Sequence, residues 1–244
     1  MTSPARLLAP IALAIAASVL VGCSGTPSPD PQPTIPPGIT APPPTVPATP
    51  TPTVTSALPA EIAGVDTSGW QQVPVPSGAA TFRIPADWSV AEAAGGLDIL
   101  RADGQRQLGY AEGVSAGDGS CVDGSGTPVG WRTAVLDRQE VTLTGASGIA
   151  FGAAALQLGE QWVVSVGLRP AADAQTPRCP IVNVIETPVG LISFGSEVNV
   201  TGTGVGAPWA VDSVAAAEEY LGGEEYATIR AIVMSLELLE PSAP

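Results

Sequence analysis

Gly113-Val114-Ser115-Ala116-Gly117 has the Gly-x-Ser-x-Gly spacing that holds a serine nucleophile on a sharp turn. Such a serine needs a base to take its proton, yet the chain has no histidine and no lysine; its nine cationic side chains are all arginine. The match also falls in a loop rather than between a strand and a helix, so serine catalysis is not expected. Asp66-Thr67-Ser68-Gly69 would suit aspartate chemistry only with a second copy, because two aspartates must share one proton. It reads as a turn at a domain boundary. Asp118 and Asp123 flank Cys121 and offer oxygen ligands of the kind calcium takes, but not at the spacing of a helix-loop-helix calcium site. That loop is read as solvated, and no metal and no cofactor is expected. Paired carboxylates can cleave a glycosidic bond without histidine. Glu112, Glu140, Glu160 and Glu186 lie on or near strands and keep a glycan hydrolase as the alternative to a protein that is not an enzyme. Among the aromatics that could stack on sugar or an acyl chain are Trp131, Trp162 and Trp209. Trp162 shares a strand face with Val164 and Val166 and reads as core. Trp209, after Gly206-Ala207-Pro208, reads as the exposed ligand-binding candidate.

Cysteine supplies the other reactive groups. Cys23 closes a run in which a lone basic Arg6 precedes apolar sequence from Leu7 to Val21, ending Leu20-Val21-Gly22-Cys23. That order is the basic, apolar and small-residue sequence of a secretory leader. It resembles a bacterial lipobox, in which the cysteine sulfur receives a diacylglyceryl group and the leader is removed. Two acyl chains are what stable anchoring takes. The apolar run is interrupted by Pro10 and is short for a spanning helix, which needs about twenty residues. Cys121 and Cys179 then lie in an exported domain, an oxidising setting that favours a disulfide. Two free buried thiols are the alternative. A metal site would lack histidine, the usual partner of thiolates.

Stepping along the chain, residues 1–22 are expected to be the signal peptide. Residues 23–63 are the lipidated cysteine and a disordered linker rich in Pro and Thr, and 64–240 are the folded domain. Repeated Thr-Pro and Pro-Pro steps favour extended polyproline II, at about 3.1 Å per residue, so the linker can reach on the order of 110 Å. The linker threonines are candidates for glycosylation. The net charge of −14 would repel nucleic acid and anionic headgroups, so no nucleic-acid partner is expected. The expected partners are the membrane, through the lipid, and an envelope lipid, glycan or protein.

Within the domain, Phe82 and Ile84 alternate with Thr81 and Arg83 before Pro85. Strands are expected at Trp88 to Ala93, Leu97 to Arg101 and Gln105 to Glu112, with a turn at Gly95-Gly96 and a type I′ turn at Asp103-Gly104. Further strands are expected at Val135 to Leu143, Ile149 to Leu158, Trp162 to Leu168 and Gly190 to Val200. Gly113 to Gly130 and the Cys179 segment are expected to be loops. Asp212 or Ser213 caps a helix lined by Val214, Ala217 and Leu221, and Gly222-Gly223 ends it. Glu224 and Glu225 open another, with Tyr226, Ile229, Val233 and Leu236 on one face. Strands followed by helices predict an α+β fold, an antiparallel sheet flanked by helices.

Phe82-Arg83-Ile84-Pro85-Ala86-Asp87-Trp88 resembles the early strand of PsbP-like domains, which ends in Pro-x-x-Trp. Glu225-Tyr226-Ala227-Thr228-Ile229-Arg230, with Met234-Ser235-Leu236, is similar to their last helix and the step into a final strand. With the lipobox, and a composition that suits a GC-rich genome, the chain resembles actinobacterial lipoproteins of the LpqN type. That resemblance implies a PsbP-like sandwich used as a binding or accessory module on the outer side of the cell membrane, with no catalytic residues to carry over. Trp88 and Pro85 are fold residues in that family. A purely structural or adhesive surface protein is the remaining alternative.

Overall fold

The computed structural model describes residues 60–116, 121–122, 125–158, 160–196, 199–200 and 209–239, all within one compact unit, Thr55–Pro244. Cys23, the leader and the stretch to residue 59 lie outside the described residues, as do Asp118 and Asp123.

Strands dominate. In chain order they begin with β1 (Glu61–Ile62), β2 (Val65–Asp66), β3 (Gln71–Pro74), β4 (Ala80–Ile84), β5 (Ser89–Ala93), β6 (Gly96–Leu100) and β7 (Arg106–Glu112). Three long strands follow, β8 (Trp131–Leu143), β9 (Ala146–Leu158) and β10 (Gln161–Pro170), then helix α1 (Ala171–Gln175). Next come β11 (Ile181–Val182), β12 (Val184–Thr187), β13 (Gly190–Gly195), β14 (Asn199–Val200) and β15 (Ala210–Val211). The described chain closes with α2 (Val214–Leu221), α3 (Glu224–Met234) and β16 (Glu237–Leu238).

The main sheet runs β5-β6-β7-β13-β10-β9-β8, with β12 beside β13 and β15 beside β10, and every pairing is antiparallel. A separate sheet, β16-β4-β3, packs with α2 and α3 over one face. This is a sheet-dominated α+β fold. The core on that face is built by alternation. Val164, Val166 and Leu168 of β10, Phe151 and Ala153 of β9, and Ile192 and Phe194 of β13 point inward to Phe82, Ile229 and Val233. Ring pairs tie the layers together: Phe82–Phe194 at 5.1 Å, Tyr110–Phe194 at 5.8 Å and Phe151–Tyr226 at 6.4 Å between centroids. Arg230 of α3 stacks over Phe151 at 5.6 Å and pairs with Asp137 of β8 at 3.0 Å, so α3 is held by both apolar and charged contacts.

The opposite face is covered at its centre too. Ala154, Leu156 and Val163 pack under Cys121, Cys179 and Ile181. Cys121 and Cys179 form the expected disulfide, with Cα atoms 5.5 Å apart and a separation of 58 positions in sequence. A strand buried on both faces has no polar side to show water, which is why β10 reads as a nearly unbroken apolar run.

Several local expectations stand. Pro85 follows β4, a turn joins β5 to β6 at Gly95, and Ser213 Oγ accepts from the Ala216 N–H at 3.1 Å to cap α2. Ser235-Leu236 leads from α3 into β16, which pairs with β4. The Asp103-Gly104 turn differs from its expectation. Gly104 has φ 82° while Asp103 does not adopt positive φ, and Arg101 both accepts from the Gly104 N–H and donates to Gln105 O at 2.9 Å. That is a three-residue loop with a left-handed glycine, not a type I′ turn. Between Leu168 and Gly190, where a loop was expected, the chain makes α1 and the β12–β13 hairpin.

Reduction of the Cys121–Cys179 bond frees a large loop and should lower stability by about 4 kcal/mol in the chain-entropy account. For a domain of this size that is roughly 10 °C in melting temperature, measured by circular dichroism with and without reductant. An unchanged melt would mean that the bridge constrains nothing.

Candidate functional site

The outward row of β10 carries Val163, Ser165, Gly167 and Arg169, one face of a strand whose other face is core. Arg169 ends that row and is 1% exposed. Its Nη2 donates to Asn183 Oδ1 at 2.6 Å and to Gly152 O at 3.1 Å, with Ser165 O and Oγ at 3.3 and 3.4 Å. Asn183 is fixed in turn, its Nδ2 donating to Ser165 Oγ at 2.9 Å. Glycine is required beneath it. A Cβ at Gly167 would lie 2.6 Å from Asn183 Cγ, and one at Gly195 would lie 2.8 Å from Asn183 Nδ2. Arg169 Nε and Nη1 are buried and have no hydrogen-bond partner among the described residues.

Arg169 lines a cleft of about 380 Å³ with Pro177, Arg178, Cys179, Pro180 and Ile181. Arg178, 74% exposed on the rim, is paired with Asp173 at 2.7 Å. Asp173 is therefore engaged, and among the described residues Arg169 is left as a buried cation with no carboxylate in contact. Burial pushes the Arg169 guanidinium down to about 10, and the nearby Asp173 charge pushes it back up, so it stays cationic at neutral pH. A buried charge without a counter-ion is costly, which is the reason such groups mark sites that receive one.

A second cleft, of about 580 Å³, is bordered by Pro76, Glu92, Gly96 and Glu112. Glu112 Oε1 accepts there from Ser77 Oγ at 2.6 Å and from the Tyr110 hydroxyl at 2.8 Å. The other carboxylates singled out above are not brought to it. Glu140 is exposed and pairs with Arg138, and Glu160 is exposed in the turn before β10. Glu186 is in register with Leu191 while Glu112 is in register with Ile192, so those two point to opposite faces of the sheet.

No family model and no curated protein matches this chain. The site therefore has to be read from its own residues.

Ser115 is exposed in coil after β7, and residues 117–120, which complete its motif, lie outside the described residues. Asp66 accepts the Ser68 N–H at 2.9 Å, the boundary turn that was expected. Trp162 is half-buried against the core, as is Trp88. Trp209 corrects its expectation: it is 7% exposed. Its carbonyl accepts from Val164 N–H at 3.0 Å, β15 follows at once and pairs with β10, and the ring meets Tyr220 at 6.1 Å. The sheet pulls this residue inward, so it offers no stacking surface. The exposed tryptophan is Trp131, 44% exposed at the start of edge strand β8.

Sequence reasoning passed over Arg169. The available signal was an arginine placed by alternation on the same strand face as Ser165 and Gly167, inside an otherwise apolar run.

All three tyrosines face carboxylates, two of them buried, Tyr110 on Glu112 at 2.8 Å and Tyr226 on Asp137 at 2.7 Å, and one half-buried, Tyr220 on Glu225 at 3.3 Å. Burial first, and the facing carboxylate next, hold each phenol well above its ordinary range. The unfolded chain sheds these protons above about pH 10 while the folded chain keeps them, so stability should fall as pH rises beyond that point. An alkaline titration followed by near-ultraviolet absorbance should show phenolate only together with loss of the folded circular-dichroism signal. Phenolate formed in the intact fold would show that the rings are open to water.

Proposed function

We infer that this chain is an extracytoplasmic, lipid-anchored protein of the cell envelope, and that its domain is a non-catalytic binding module. The observation that carries the binding role is the cleft beside Arg169, a buried guanidinium with two unpartnered nitrogens bordered by apolar side chains. Such a site suits binding, because it has a charge to satisfy and apolar surface to cover. It carries no nucleophile beside a base. Export and anchoring rest on the lipobox-like Leu20-Val21-Gly22-Cys23 and on the long Pro/Thr-rich tether. The Cys121–Cys179 bond suits the oxidising compartment that export would reach. An antiparallel sheet under two helices, with a closing strand after Ser235-Leu236, suits the PsbP-like sandwich. The LpqN-type resemblance adds the accessory role.

The competing reading, a carboxylate hydrolase of envelope glycans, has Glu92 and Glu112 at the second cleft as its best residues. Three measurements test these readings. Cys23→Ala should shift the protein from the membrane fraction to the culture medium, and retention on the membrane would reject lipid attachment. The native protein, extracted in mild detergent, should carry a bound small molecule in near-stoichiometric amount, seen by mass spectrometry after denaturation. It should also release no reducing sugar from the envelope glycan fraction. An empty protein with glycan release that Glu112→Gln abolishes would replace the binding module with the hydrolase.

A further inference from the structure

Resting on that binding reading, we propose that the Arg169 cleft takes a ligand with a single carboxylate head and an apolar body, the head meeting the Arg169 guanidinium. The charge count at the cleft selects the head. Arg178 is already neutralised by Asp173, so Arg169 is the uncompensated cation among the described residues of the wall. A single negative charge satisfies it. A dianion would leave its second charge facing Asp173 in a protein whose net charge is already −14. The guanidinium is closed off from bulk water, so a charge-assisted hydrogen bond to it is screened less than one at the surface. Nε and Nη1 are the donors left over after Nη2 is committed to Asn183 and Gly152.

The walls select the body. Pro170, Pro177, Pro180, Ile181, Val182 and Val184 present apolar surface, and among the described residues no aromatic side chain lines the cleft for sugar stacking. An acyl chain suits such a surface; a glycan would leave most of its hydroxyls unpaired. Asn183, locked by Ser165 and seated on Gly167 and Gly195, fixes the guanidinium in place, so the cation is preorganised rather than recruited.

The test is calorimetric titration of the full-length chain in detergent with hexanoate and with 1-hexanol, which share a body and differ in the head. Hexanoate should bind at least about tenfold more tightly. Arg169→Met should erase that difference, and Arg169→Lys should keep part of it. Ala116→Trp, at an exposed position on the cleft wall, should weaken both ligands without touching the core. Should Arg169→Met fail to fold, the acid–alcohol comparison on the unaltered chain still decides. Equal binding of acid and alcohol would overturn the carboxylate head while leaving a binding cleft. If neither binds but the extracted protein still carries its molecule, this inference is wrong and the binding module stands. If neither binds and nothing is carried, both fall.

Discussion

β10 is buried on both faces, and most of the architecture follows from that constraint. One face lies under α3, α2 and the β3–β4–β16 sheet; the other lies under the disulfide cluster and α1. A central strand in that position cannot send a polar side chain to water. Ser165 and Arg169 must be satisfied from within, so the chain brings Asn183 from ahead of β12 and the Gly152 carbonyl from β9 to meet them. The glycines at 167 and 195 are the geometric consequence, since any side chain there would occupy the volume that Asn183 fills. Four acceptors from three segments thus close around one guanidinium, and its Nε and Nη1 are left buried without a hydrogen-bond partner among the described residues.

The inner face solves a different problem. The chain is short of aromatic residues, and those it has are concentrated where the layers meet: Phe82, Tyr110, Phe151, Phe194, Trp209, Tyr220 and Tyr226. The tyrosines occupy the margins of that cluster, where each ring packs on the core and each hydroxyl reaches a carboxylate. This arrangement also places acidic groups at the edge of the core. Asp137 and Glu225 then meet Arg230 and Arg101, so part of the negative charge is used to fix α3 against the sheet. Exposed pairs of this kind contribute little by themselves; here they sit on rings that are already packed.

What could be read from the chain in advance was local. Alternation located β4, β6 and β10, because a half-buried or fully buried strand writes its faces into successive residues. Ser213 and Gly222 marked the ends of α2 for equally local reasons, a hydroxyl reaching the first turn and a glycine after the last. The Cys121–Cys179 pairing was legible because only two cysteines remained once Cys23 was set aside. Trp209 was misjudged because Gly206-Ala207-Pro208 says only that the chain is irregular there. Whether the next residue lies in or out depends on β15 pairing with β10, a contact across some fifty residues. The Arg169 network was illegible for the same reason. Its partners come from β9, β10 and the residue before β12, and no single window of sequence contains them. α1 was hidden because five residues are too few to establish a helical period.

The disulfide joins the two halves of the functional reading. Cys179 stands on the cleft wall between Arg178 and Pro180, and its bond runs to Cys121, beside the isolated bridge between Val122 and Pro128. Residues 177–181 have no helix of their own to hold them, and β11 is only two residues long. The wall facing Arg169 is therefore held chiefly by that covalent link and by the packing of Cys121, Cys179 and Ile181 on Leu156 and Val163. In a reducing compartment the link would be absent, and the segment that shapes the cleft would lose its main restraint. A cleft shaped this way would keep its form best where thiols are oxidised. The proposed export through Cys23 and the proposed binding at Arg169 would thus call for the same surroundings, although the residues that specify them are far apart in the chain.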